Sequence, residues 1–311
     1  MIPLISVIVP IFNSRTTLSN CINSILNQSM SDFELILVDD GSTDDSLSIC
    51  ELYSNKDSRI RILQQRNSGV THARSLGVNS ARGLWVCFVD SDDTIPENSL
   101  KLLSGAIDDK FDIIIGQIYN KHRLEMELDL NSYRKFCISG DFIHPGPVAK
   151  LYRRELFDEK TFQISRDIIR GEDLIMNVRL SFRAKRLVKI IPQIVYNYIP
   201  NSLSVMHSTK HTIQHAEIFL QYLELSIPNK FREYYHKEII SNRIKSIENI
   251  IYDDPNDQSW RHSSFYKDLT NDMEMHNIKF SLSQRLMLAS RNKLSLFFNM
   301  KIIRILSFLN I

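Results

Sequence analysis

The first part of the chain alternates short β-rich apolar runs with segments whose apolar residues recur every third or fourth position. Leu4-Ile5-Ser6-Val7-Ile8-Val9 is almost wholly apolar, as expected of a parallel strand buried on both faces. Pro10 ends it, and Ile11-Phe12-Asn13-Ser14 forms a loop before Leu18, Ile22, Ile25 and Leu26 line one helix face. Phe33 to Val38 predicts a second strand, closed by Asp39-Asp40-Gly41-Ser42-Thr43-Asp44. Ser42 or Thr43 would cap a helix reaching about Tyr53. Arg59 to Leu63 predicts a third strand. A helix follows from Asn67-Ser68-Gly69 to about Ala81, and Gly83 ends it before a fourth strand, Trp85 to Val89. A further helix from about Pro96 leads to Asp112-Ile113-Ile114-Ile115-Gly116, a fifth strand. This order predicts an α/β fold with a doubly wound, mainly parallel sheet. Ligands of such sheets bind outside the carboxyl ends of the strands. The polar clusters after Val9, Val38 and Val89 should therefore face one cleft.

Beyond residue 118 the alternation weakens. Asn120 to Asn131 reads as a polar excursion, and the turn His144-Pro145-Gly146-Pro147 leads to Val148 through Arg154, a strand or strand edge. Gly171-Glu172-Asp173 opens a helix carrying Leu174, Val178 and Phe182 on one face. Arg186 to Ile191 and Ile194 to Tyr198 read as a strand pair. After about His211 the pattern is helical. The expected organisation is a nucleotide-binding domain over residues 1–210 with a helical C-terminal extension over 211–311.

Composition adds exclusions. At 43% hydrophobic, 24% charged and a formal charge of +2, the chain is globular, neither disordered nor an obvious nucleic-acid binder. Cys21, Cys50, Cys87 and Cys137 show no Cys-x-x-Cys spacing. With no basic segment or cleavage site ahead of the first strand, they are expected to be reduced thiols of a cytoplasmic protein. No apolar run approaches the roughly 18–20 residues of a spanning helix. From Asn277 onward, however, Lys279, Arg285, Arg291, Lys293, Lys301 and Arg304 occur without any Asp or Glu. Leu294, Phe297, Phe298, Ile302, Ile305, Leu306 and Leu309 repeat at helical spacing among them. Such a basic, apolar-faced helix suits the plane of an anionic membrane, giving a peripheral protein at its cytoplasmic face. The alternative is packing on its own domain or on a second copy in a homo-oligomer.

The candidate chemistry centres on Asp90-Ser91-Asp92-Asp93, three carboxylates within four residues at the end of an apolar strand. Carboxylate oxygens are the ligands Mg²⁺ and Mn²⁺ prefer, and close acids repel unless a cation neutralises them. A second acidic feature is Gly171-Glu172-Asp173, where the helix dipole favours ionised carboxylates, as a general base requires. Together with Ser6-Val7-Ile8-Val9-Pro10-Ile11-Phe12-Asn13, Val38-Asp39-Asp40-Gly41-Ser42-Thr43-Asp44 and Asn67-Ser68-Gly69 with Ala73-Arg74, these motifs resemble glycosyltransferase family 2 in order and spacing. The resemblance covers about residues 3–205. It departs at Ser75, where the family usually has Asn, and at Pro147-Val148-Ala149 before Lys150-Leu151-Tyr152, where relatives often place an aromatic residue.

The resemblance implies a GT-A fold, a nucleotide-sugar donor carrying UDP, and inversion at the anomeric carbon. It implies a glycan or lipid-linked glycan acceptor and a role in bacterial surface-polysaccharide synthesis. It assigns Asp90 to the donor ribose and Asp92 to Mn²⁺ or Mg²⁺, with Asp93 as a helper. Asp40 resembles the residue that accepts a hydrogen bond from uracil, with Pro10 and Phe12 forming the wall against the base; a helix cap is the other reading of Asp40. Arg74 either binds donor phosphates or pairs with a turn carboxylate, and Asn67 either contacts ribose or caps a helix. Asp173 is implied as the general base, with Glu172 orienting the acceptor or Asp173 itself. Tyr196-x-Tyr198 with Ser202-x-Ser204 resembles the segment returning under the nucleotide, and His207 is a candidate for the metal or diphosphate. A nucleotide-sugar-binding scaffold without catalysis is the competing reading. It is opposed by the presence of both Asp92 and Asp173. A sugar-1-phosphate nucleotidyltransferase is opposed by Pro10-Ile11-Phe12-Asn13, which stands where a Gly-rich, basic loop would be expected.

Overall fold

The apolar runs become strands of one sheet, and its strand order places the acidic turn. A computed structural model describes residues 2–119, 125–200 and 210–308. In chain order the sheet elements are β1 (Ile5–Ile11), β2 (Phe33–Asp39), β3 (Ile60–Gln64), β4 (Trp85–Phe88), β5 (Phe111–Gln117), β6 (Met126–Leu128), β7 (Lys150–Arg153) and β8 (Leu187–Ile194). Their order across the sheet is β3-β2-β1-β4-β7-β5-β8-β6. β3, β2, β1 and β4 run parallel, and β5 and β8 are parallel too, while β7 and β6 are antiparallel to their neighbours. Every residue of β1, β2 and β5 is buried, which explains their mostly apolar sequence; polar exceptions such as Ser6, Glu34 and Asp112 lie near the amino ends.

From β1 the chain steps outward to β2 and β3, then crosses back to lay β4 on the other side of β1. The strand order reverses between β1 and β4, and a crevice opens at such a point outside the carboxyl ends. The helices that make these crossovers are α1 (Leu18–Leu26), α2 (Ser46–Ser54) and α3 (Val70–Ser80), and α4 (Ser99–Ser104) leads from β4 to β5. Leu18, Ile22 and Ile25 of α1 are fully buried, as their spacing predicted, together with Cys21, while Leu26 is partly buried.

Three expectations differ in detail. The Val148–Arg154 segment is an interior strand, β7, hydrogen-bonded on both sides by β4 and β5; its short apolar run does not encode its neighbours. The expected strand pair is instead one strand, β8, after which Asn197 makes an isolated bridge to Thr94. Beyond β8 the Tyr196 hydroxyl and the Ile199 N–H donate to the carboxylate of Asp93. The polar excursion contains β6 at its end and leads into α5 (Leu130–Ser139), residues 120–124 lying outside the described ones.

Packing divides the chain into two units. The first comprises Met1–Arg134, Pro145–Arg166 and Met176–Asn201 and contains the whole sheet. The second comprises Lys135–His144, Asp167–Ile175 and Ser202–Ile311. α6 (Glu172–Arg183) begins in it. It also holds α7 (Ile213–Ser226), α8 (Asn229–Arg232), α9 (His236–Asp253), α10 (Ser264–Met275), α11 (Leu282–Leu288) and α12 (Lys293–Phe308). Phe219 and Leu223 of α7, Ile240, Ile247 and Ile251 of α9, and Leu269 of α10 are buried within this helical unit. Each such side chain contributes about 1.5–3 kcal/mol when fully removed from water.

Candidate active site

The crevice end of the sheet is built by the loops after β1, β2 and β4. Pro10 is buried within β1, opposite Val38 of β2, whereas Phe12, just beyond the strand, is 47% exposed. Asn13 adopts a left-handed φ of 50°, and its Oδ1 accepts hydrogen bonds from the Thr43 N–H (2.8 Å) and Oγ1 (3.2 Å). Its own N–H donates to Ser42 Oγ at 3.1 Å. Ser42 and Thr43 are thereby committed to the β1 loop and do not cap α2. Ahead of α2, whose N-cap residue Asp45 makes no side-chain cap, Asp44 accepts from the Ser46 N–H at 3.0 Å, and its carboxyl is held below its ordinary range despite some burial, by the hydrogen bonds from Ser46 and Arg15.

Asp39 closes the turn after β2, accepting from the Ser42 N–H at 3.3 Å. The buried Asp40 carboxylate accepts from Gln65 Nε2 (2.7 Å), Ser68 N–H (2.7 Å) and Gly69 N–H (2.8 Å). It therefore ties down the segment that enters α3, leaving one of roughly four carboxylate acceptor positions for another donor. Gly41 makes this approach possible: its φ is +74°, and a Cβ there would fall 2.8 Å from the Asn67 nitrogen. Asn67 is exposed, and its Oδ1 accepts from Arg166 Nη2 at 2.9 Å.

The acidic turn follows β4, the strand hydrogen-bonded beside β1. Ser91 Oγ and Ser14 Oγ are 2.7 Å apart, joining the turn to the loop after β1. Arg74, buried on α3, places Nη2 3.0 Å from Asp90 Oδ1, and its guanidinium sits 6.0 Å from the Phe88 ring centroid. Asp90 and Asp92 are partly exposed, whereas Asp93 is buried. Asp93 accepts from Tyr196 Oη (2.7 Å) and the Ile199 N–H (2.7 Å), and Tyr196 Oη also accepts from the Asp90 N–H at 3.1 Å. Tyr196 thus fixes the turn from behind.

Electrostatics separate this end of the sheet from the other. Burial pushes Asp93 up to about 6, and the charges of Asp90 and Asp92 add to the rise against its hydrogen bonds. Glu34 and Asp112, at the amino ends of their strands, are held below their ordinary values despite burial. Hydrogen bonds do this: Ser6, the Arg82 N–H and Arg61 serve Glu34, and the Lys185 and Arg186 N–H groups with the Arg186 side chain serve Asp112. Glu34 and Asp112 are thus held as charged carboxylates by their donors, whereas the acidic turn gathers three carboxylates, with Arg74 paired to Asp90. All four cysteines are free and buried, and burial raises Cys50 and Cys87 to about 12, which keeps them as thiols rather than nucleophiles.

Glu172 and Asp173 occupy the first turn of α6 in the second unit, both partly buried. Gly171 before them has φ +100°, and a Cβ on it would lie 2.5 Å from Phe219 Cε2, so only glycine fits. His207, Ser202 and Ser204 lie outside the described residues. The first unit thus brings together Pro10, Phe12, Asp40, Asn67, Arg74, Asp90 and Asp92. The motif spacing gave no role to the Tyr196 hydroxyl or to Arg166. Neither carries a local signal, because each acts on a residue far away in sequence. The donor set of the acidic turn, carboxylate oxygens on a partly exposed turn, fits a hard divalent cation.

A family model described as glycosyl transferase family 2 matches residues 6–160. The chain is 34% identical over 221 residues to an uncharacterized glycosyltransferase, EpsJ, of Bacillus subtilis, covering 66% of this chain and 64% of that protein. It therefore spans just under two thirds of that relative's length. It is 34% identical over 232 residues to the glycosyltransferase GlyG of Streptococcus pneumoniae, covering 67% of this chain and 74% of that one. Among solved structures, Staphylococcus aureus TarS 1-349 in complex with UDP-GlcNAc superposes with a TM-score of 0.68 at 20% identity, over 98% of this chain and 92% of that one.

Proposed function

The chain belongs to glycosyl transferase family 2, and on that premise we propose that it moves a sugar from a UDP-sugar donor to a hydroxyl of a glycan or lipid-linked glycan, with inversion. Its sheet, with the helices that flank it, has the GT-A fold. The transferred group is a hexosyl or N-acetylhexosaminyl unit, and the product a cell-surface polysaccharide. One observation carries the reading: the Asp90–Asp93 turn sits at the carboxyl end of β4, where the strand order reverses, with Asp93 raised to about 6 beside two further carboxylates.

In this reading Asp92, with Asp90 beside it, would hold Mn²⁺ or Mg²⁺, which when bound supplies positive charge to a diphosphate leaving group. His207 is proposed as a further ligand. Pro10 and Phe12 flank the base, Asp40 offers its remaining acceptor position to a uracil N–H, and Asn67 and Asp90 serve the ribose. Arg74 is a permanent cation with a forked donor array, and donor phosphates would compete with Asp90 for it. Asp173 would take the acceptor proton, and Glu172 would orient it. A screen of nucleotide sugars with Mn²⁺ and Mg²⁺, following UDP release, tests this. Metal-dependent release from a UDP-sugar is expected. UDP binding without turnover in the presence of acceptor glycans would favour the scaffold reading, and no binding of any nucleotide sugar would overturn both.

We further propose that α12 lies on an anionic membrane. Leu294, Phe297 and Phe298 on it are 79%, 60% and 63% exposed, with Lys293, Lys301 and Arg304 on the same helix. Among the described residues no helix is long and apolar enough to cross a membrane. Intact protein should float with anionic vesicles, less with neutral ones, and less as salt screens the cations. Deleting residues from 280 onward should abolish flotation. Flotation with neither vesicle would reassign the stripe to packing against protein.

A further inference from the structure

Within the helical unit, three side chains with metal-ligating chemistry converge from separate elements. A carboxylate oxygen of Glu233 and a ring nitrogen from each of His236 and His276 all lie within 4.8 Å of one another. Glu233 follows the short helix α8, His236 is the first residue of α9, and His276 is the residue on which α10 ends. The two imidazole rings stack with centroids 3.9 Å apart and planes 23° from parallel. His236 Nδ1 lies 2.6 Å from the Glu233 carbonyl oxygen. A carbonyl only accepts, so Nδ1 carries the proton and the Nε2 lone pair is left open. A backbone carbonyl on the far nitrogen is the arrangement that orients metal-ligating histidines.

We propose that Glu233, His236 and His276 form a binding site for a divalent transition ion of the Zn²⁺ class. Two imidazoles and one carboxylate match the donor preference of Zn²⁺ and leave a position for water. The acidic turn supplies mainly carboxylate oxygens and suits harder ions, so metal choice and Asp92→Asn separate the two sites. Ring rotation out of the stack would turn both histidine nitrogens toward one ion. The ion would then tie the start of α9 to the end of α10, cross-linking the helical unit. This inference is independent of the glycosyl-transfer reading.

Titration of the intact protein with Zn²⁺, by calorimetry and chelator competition, tests it. One equivalent should bind and persist in Asp92→Asn. His236→Gln and His276→Gln should each weaken that equivalent by at least about tenfold, since even indirect partners of a metal contribute that much. Replacement of the exposed His262 by Gln should leave it unchanged. Zn²⁺ should raise the thermal midpoint of the unaltered protein and not of the two histidine variants. These positions are partly exposed, so folding of the variants can be confirmed by circular dichroism. Absence of Zn²⁺ binding, equal binding by both histidine variants, or loss of the equivalent in Asp92→Asn would each overturn the proposal.

Discussion

Asp92→Asn is expected to lower metal-dependent UDP affinity by about tenfold or more. Turnover should fall further, because charge stabilisation at a diphosphate leaving group contributes several kcal/mol. The substitution keeps the shape of the side chain and removes only its charge. Asp92 is partly exposed on a turn, so the fold should be unaffected within the usual ±0.5 kcal/mol of surface changes. One consequence is internal to the turn. Asp92 is among the charges that raise Asp93, so its neutralisation should move the Asp93 titration downward from about 6. Calorimetry with UDP, with and without Mn²⁺, reads the first effect; carboxylate NMR of the metal-free protein reads the second. Undiminished metal-dependent affinity would remove Asp92 from the metal.

Asp173→Asn should behave differently: UDP binding close to that of the unaltered protein, with transfer reduced at least about 10²-fold, the lower end of general-base contributions. Asp173 stands in the first turn of α6, where the helix dipole favours a carboxylate. Asparagine retains its size but cannot take a proton. The measurement is transfer to a competent acceptor at saturating donor, alongside calorimetry with UDP. Loss of both binding and transfer would indicate a folding role for the α6 entry, where Gly171 is pressed against Phe219. Near-normal transfer would exclude Asp173 as the base.

Much of this architecture was legible because it depends on short-range pattern. Runs such as Val7–Val9 and Leu35–Val38 are apolar at consecutive positions, as strands buried on both faces require, and the crossover helices declare themselves by spacing. The acidic turn and the acids opening α6 were visible because their chemistry needs several charged residues close together in sequence. What escaped was partner choice. Val148–Arg154 was recognisable as extended chain, but its insertion between β4 and β5 is fixed by pairing with residues more than thirty positions away. Ser42 and Thr43 look like caps, yet Asn13 claims them from another strand end. Likewise Asp40 reads as an isolated acid after a strand. Only the folded chain brings Gln65, Ser68 and Gly69 to it, and only the folded chain sets the Tyr196 hydroxyl between Asp93 and the Asp90 backbone. The sequence by itself determined the strands, the helices and the identity of the acids, because hydrophobic burial and local charge density act residue by residue. The tertiary structure alone decided which acids are held below their ordinary range by hydrogen-bond donors, as at Glu34 and Asp112, and which is pushed up by burial, as at Asp93. A carboxylate's state depends on the burial and hydrogen-bond donors around it, and those come from distant segments.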